Sequence, residues 1–143
     1  MRVFQPVSWR RLRTASGGAA AVEFALIGPV LLALLMGILS YGGYFWIGHS
    51  VQQIANDAAR ATIAGLDDDE REMLAVQTLE REMAEHTALD IRRADVAVAR
   101  AGGALIVSVS YNAEGSVFWA FEELLPMPSS LVERTATIQV GGF

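Results

Sequence analysis

An α+β fold, in which a long N-terminal transmembrane helix leads into a small domain with one helix and a roughly three-stranded antiparallel sheet, is predicted by three features of this 143-residue chain. The first is a stretch from Phe24 to Asn56 without Asp, Glu, Lys or Arg, apolar throughout from Phe24 to Ile47 except for glycines, Pro29 and Ser40. The second is a change in the spacing of apolar residues after Ala94, from the helical period to the alternation of two that marks strands. The third is the pair Gly102-Gly103 between two alternating stretches, which is the turn chemistry of a hairpin. The chain divides accordingly into a basic head (1–18), a long helix (19–65) and a C-terminal α+β domain (66–143).

About 20 apolar residues rising ~1.5 Å each cross a hydrocarbon core of about 30 Å, so the part of the helix from about 24 to 47 is long enough to span a bilayer. Charge orients it. Of 11 basic residues, Arg2, Arg10, Arg11 and Arg13 precede the span, and the remaining seven face all 16 acids, a net charge of -9 from Ala19 onward. Basic residues beside the first apolar span mark the cytoplasmic side, which predicts an N-terminus inside and an extracytoplasmic C-terminal domain. That domain's acidity excludes nucleic acid as a partner, because phosphate binding needs a basic face. With no Cys there is no disulfide framework and no thiol chemistry, and the compartment is left open. An ordinary secretory signal fits poorly, since its apolar core is typically about 7–15 residues and here Glu23 opens a longer one.

Beyond Trp46, residues Val51, Ile54, Ala55, Ala58 and Thr62 share one helical stripe while Gln52, Gln53, Asn56, Asp57 and Arg60 fill the other side. One helix from about Ala19 to Ala64 is therefore expected, apolar all round in its first half and amphipathic from about 48 to 65. Gly65 is expected to cap it in the left-handed conformation. Pro29 removes the hydrogen bond to the carbonyl of Ala25, predicting a local kink. The run Asp67-Asp68-Asp69-Glu70 then opens a second helix to about Thr87, with Asp67 and Glu70 placed as a capping box and Val76, Leu79 and Met83 on one face, Met73 at its edge. Consecutive acids lack the alternating spacing of a calcium loop, so capping is the reading taken.

Val96 and Val98, then Leu105, Val107, Val109 and Tyr111, alternate on either side of Gly102-Gly103 as a hairpin. A third strand is expected through Val132, Arg134, Ala136, Ile138 and Val140, with the helix after the membrane covering the apolar face of the sheet. Between them, Val117-Phe118-Trp119-Ala120-Phe121 and Pro126-Met127-Pro128 predict a short helix or irregular loop. Its aromatics either close the edge of the core or, through Phe118, Trp119 and Phe121, offer a partner-binding patch.

Catalytic chemistry is not expected. His49 and His86 are the two histidines, placed at the membrane surface and near a helix C-terminus, with no neighbouring nucleophile or ligand pattern, and no metal or cofactor is expected. The anomalous residue is Glu23. A carboxylate at the start of a membrane span is costly unless paired or held at the interface, and marks a functional position.

The string from Gly18 to Leu32 (Gly-Ala-Ala-Ala-Val-Glu-Phe-Ala-Leu-Ile-Gly-Pro-Val-Leu-Leu), Gly37, the aromatic exit Tyr41, Tyr44, Phe45 and Trp46, and the run Val51 to Arg60 resemble the TadE-like family over roughly residues 17–63. These are minor pilins, or pseudopilins, of the tight-adherence (Tad, Flp) branch of type IV pili. The resemblance implies a pilin-type helix matured by a membrane-embedded aspartic prepilin peptidase that cuts after Gly18, leaving Ala19 as the first residue and Glu23 as the fifth. It implies assembly roles for Glu23 and Phe24, since Phe24 stands where major Flp pilins carry Tyr. It also implies other minor pilins, the major Flp pilin, the inner-membrane Tad assembly platform and the lipid bilayer as partners. The protein would be a single-pass inner-membrane protein with a periplasmic domain, open to incorporation into a surface pilus that serves adhesion. The competing expectation is a permanently anchored single-pass protein with a periplasmic binding or adaptor domain, which would keep residues 1–18. Ala33 and Gly37, with Gly42 and Gly43 further on, have the small-residue spacing that lets membrane helices approach closely.

Overall fold

The computed structural model of the protein describes residues 16–86 and 88–140; Arg2, Arg10, Arg11, Arg13 and the rest of the head before Ser16 lie outside the described residues. Helix α1 runs Ser16–Thr62, beginning three residues before the expected start and ending two before the expected end. The chain separates into two compact units between Ile38 and Leu39.

In the first unit the described residues are helical throughout, and the helix continues through Pro29 without a break. Val22, Phe24, Leu26, Ile27, Val30, Leu31, Leu32, Leu34 and Leu35 are all exposed, on every side of the helix. Water is a poor solvent for such a surface, and a helix that is apolar all round belongs in lipid or among other helices. It is the one helix among the described residues long and apolar enough to cross a membrane.

The second unit begins with the rest of α1 and is built on its amphipathic half. Ile47, Val51, Ile54, Ala55, Ala58 and Ala59 form a stripe that is 2% exposed or less, and Thr62 beside them returns its hydroxyl to the carbonyl of Ala59 at 2.7 Å. The helix ends by tightening, with the amides of Ile63, Ala64 and Gly65 each bonding three residues back. Gly65 does not adopt the left-handed conformation expected of it; the described glycines with positive φ are Gly102, Gly103 and Gly115. A Cβ on Gly65 would lie 2.9 Å from the backbone nitrogen of Arg71, so the glycine is needed for close approach of the next helix's first turn.

Helix α2 (Asp68–Glu85) starts as its acids predict. Asp67 Oδ1 accepts the amide of Glu70 at 2.8 Å, while Glu70 Oε2 accepts the amide of Leu66 at 2.7 Å, one residue before the position a standard capping box would use. Its buried face differs from the expected one. Arg71, Ala75, Thr78, Leu79 and Met83 face inward, whereas Val76 lies on the exposed side with Met73. Arg71 is held by Asp68 at 2.7 Å and by the carbonyl of Leu66 at 3.4 Å, and that anchor turns the small Ala75 toward the core and Val76 away. His86 caps the C-terminus, its amide bonding the carbonyl of Glu82.

After a 3-10 turn over Ile91–Arg93, strands β1 (Ala94–Ala101), β2 (Ala104–Asn112) and β3 (Leu131–Gln139) form an antiparallel meander in the order β1-β2-β3. Gly102 and Gly103 have φ of 56° and 82°, the pair of positive values that a two-residue turn needs to match the twist of its strands. The register sets Val96 beside Val109 and Val98 beside Val107, and Val107 in turn beside Ala136. These residues and Tyr111 and Val132 join the α1 stripe and Ala75, Leu79 and Met83 of α2 in one core. The opposite face carries Ser108, Ser110, Thr135 and Thr137, with the Ser108 and Thr135 hydroxyls 3.2 Å apart. Full burial of residues such as Val107 and Val109 contributes about 1.5–3 kcal/mol each, so the packed face and the register specify one another.

Candidate functional site

Two places on α1 carry the residues that the sequence singles out. The first is its beginning. Gly18, Ala19 and Glu23 are exposed, and α1 has no acid in its first turn because the helix starts at Ser16. Glu23 therefore sits beyond the turn in which unpaired amides would favour its charge, and no ion pair to it occurs among the described residues. Phe24 is 75% exposed, and its ring lies along the same side as Gly28, 3.8 Å from where a Cβ on that glycine would stand. Phe24, Ala25, Gly28, Pro29, Leu31 and Leu32 line a shallow, almost wholly apolar groove along this helix. Such a surface can pack against another apolar helix or acyl chains, with one carboxylate at its edge.

The second place is the C-terminal end of the apolar run, within the second unit. Gly43 is covered by Phe118, whose Cβ would lie 2.7 Å from a Cβ added to the glycine. Trp46 tilts against Phe118 at 6.4 Å between ring centres, and Tyr44 meets Trp119 edge-on at 6.1 Å. Trp119 is 3% exposed, and its indole N–H donates to the carbonyl of Pro128 at 3.2 Å. The Tyr41 hydroxyl donates to the carbonyl of Pro126. Phe118 and Trp119 thus close the edge of the core, one partly and one fully buried, and Phe121 is half-buried beside them. Sequence reading missed the partners of this segment, Tyr41 and Gly43. The available signal was a glycine among aromatics, the residue type that lets a ring lie on a helix backbone.

Gly37 and Gly42 have nothing near them, while Gly48 is approached by Arg134. The small residues of α1 thus divide between open positions and positions used inside the chain. No group of three or more possible metal ligands occurs among the described residues. Asp90 and Arg92 form an ion pair in which each favours the charged form of the other. The Arg92 side chain, and then its backbone amide, lower the Asp90 carboxyl from 3.8 to about 2. Arg92 is exposed and Asp90 half-buried, and the pair caps the 3-10 turn ahead of β1.

Among the described residues, a single helix long and apolar enough to cross a membrane continues as the spine of a small α+β domain, an arrangement consistent with a membrane-anchored protein. The family model described as TadE-like protein matches residues 18–60, from Gly18 through the amphipathic half of α1. Over that stretch the chain is similar to TadE-like proteins, a likeness that suggests involvement in a Tad pilus system. No curated protein and no solved structure matches it.

Proposed function

We propose that this protein is a minor pilin, or pseudopilin, of a Tad/Flp-type pilus, cut by a prepilin peptidase after Gly18 and assembled through the first half of α1. The observation that supports it most is the family match beginning at Gly18 on a helix that presents Glu23 at the edge of an otherwise apolar surface. Cleavage removes the four arginines that hold the head at the cytoplasmic face. It leaves a free α-amino group at Ala19, four residues and ~6 Å along a helix from Glu23. In a bundle of such helices the Glu23 carboxylate pairs with the amine of a neighbouring subunit, which sets the register and offsets part of its desolvation. Phe24 and the groove beside Pro29 supply apolar contact. Gly17 and Gly18 each weaken the helix by about 1 kcal/mol relative to Ala, easing the opening of the turn that a peptidase must extend. The protein performs no chemistry of its own. Its partners are the peptidase, other minor pilins, the major pilin and the inner-membrane assembly platform, with the domain after α1 in the periplasm or on the pilus.

The test is mass-spectrometric mapping of the N-terminus of the native protein from membrane and sheared surface fractions. A terminus at Ala19 is expected, Gly18→Val should leave the head in place, and Glu23→Ala should be cut but assemble poorly. A head retained in every fraction of the native protein would sink this reading in favour of a fixed anchor with a periplasmic adaptor domain.

A further inference from the structure

We propose that the segment from Val117 to Pro128 is a membrane-seated collar, lying in the outer lipid interface around the exit of α1 with the Leu124 side chain among the acyl chains. Depth is the first argument. Counting about 20 residues for a hydrocarbon core from Phe24 reaches Gly43, and Tyr41, Tyr44, Phe45 and Trp46 straddle that point as interfacial aromatics do. The collar is fastened to the helix at this same level, through Tyr41 to Pro126, Gly43 to Phe118 and Tyr44 to Trp119.

The second argument is the position of the core. The first buried α1 residue of the hydrophobic core cluster is Ile47, six residues beyond Tyr41 and therefore ~9 Å further along the helix. Ser40 beneath this level is fully buried, its hydroxyl without a partner among the described residues.

The third argument is what the collar exposes. Leu124 is 74% exposed, Val117 63% and Phe45 67%, three large apolar side chains left uncovered by the domain. The amides of Leu124 and Leu125 both bond the carbonyl of Phe121, a tight turn that fixes Leu124 in this outward position. Glu122 and Glu123 are exposed on the same turn, so the insertion is shallow and driven by apolar contact, without help from anionic headgroups.

The inference rests on α1 spanning the bilayer and is independent of cleavage or pilus assembly. The chain has no Cys, so single labels are unambiguous. Full-length Leu32→Cys, Leu124→Cys and Leu66→Cys variants are labelled with an environment-sensitive fluorophore and reconstituted at low density in phosphatidylcholine vesicles. Leu66 is 88% exposed and serves as the water reference. The label at 32 should be blue-shifted and quenched by deep spin-labelled lipid, that at 124 blue-shifted and quenched by shallow spin-labelled lipid, and that at 66 unchanged from water. A label at 124 that matches the one at 66 while 32 reads lipid overturns the collar. A label at 32 that reads water removes the span on which it rests. A blue shift at 124 that fades as protein is diluted in lipid overturns the lipid seat in favour of a second copy.

Discussion

Adding one methyl group at Gly43 or at its neighbour Gly42 should move stability in opposite directions. In a helix, Gly→Ala gains about 1 kcal/mol from propensity, and at Gly42 a Cβ meets nothing within 4 Å, so most of that gain should appear. At Gly43 the same Cβ runs into the Phe118 ring and stands 2.7 Å from the Phe118 Cβ. Swinging the ring cannot relieve a clash with the Cβ, so the 3-10 turn Val117–Trp119 has to shift. Overpacking of this kind costs about 1–3 kcal/mol, and displacing the Trp119 hydrogen bond to Pro128 adds about 1 kcal/mol. Against the propensity gain, Gly43→Ala should lose about 1–3 kcal/mol, some 2–4 kcal/mol below Gly42→Ala. Guanidinium unfolding of the full chain in detergent micelles, followed by tryptophan fluorescence, reads the difference as opposite shifts of midpoint at constant slope. The clash also predicts coupling, so in a Phe118→Ala background Gly43→Ala should become neutral or stabilising. Equal stabilisation by both alanines, or a Gly43→Ala loss that persists without the Phe118 ring, would refute the assignment of Gly43 to close packing.

The hairpin and the Asp90 pair make two further predictions. Gly102→Ala or Gly103→Ala forces a side chain into positive φ and should cost about 1–2 kcal/mol in the same unfolding assay, with Gly102→Asn losing less. Asp90 should titrate at about 2 by NMR, below the ordinary 3.8, and Arg92→Gln should raise it without restoring it fully, because the backbone amide at 92 remains. Since the folded carboxyl is the stronger acid, the pair's contribution is complete above pH ~3.8 and disappears as pH falls through about 2. A carboxyl that titrates near 3.8 in the native chain would show the pair to be open in solution.

Elements whose chemistry is local were legible in the amino-acid order alone. An uncharged apolar run can be only a span or a core helix, two glycines between alternating stretches set the hairpin, and an Asp three residues before a Glu starts a helix. Each follows from the period or the backbone freedom of a few neighbouring residues, and the structure has all three. Glu23 was legible as an anomaly for the same reason, since its apolar surroundings are its own sequence neighbours. Choices between local alternatives of nearly equal merit were settled by contacts between distant parts of the chain. Ala75 and Val76 are both apolar, and the inward choice of Ala75 follows from Arg71 being held by Asp68 and Leu66. Gly65 can serve either as a left-handed cap or as a gap for Arg71, and proximity of the next helix selects the gap. Trp119 can face a partner or a core, and Tyr44 and the carbonyl of Pro128 draw it inward. In each case the deciding contact joins residues that local spacing does not relate, and contact energies of that kind exist only once the chain has closed on itself.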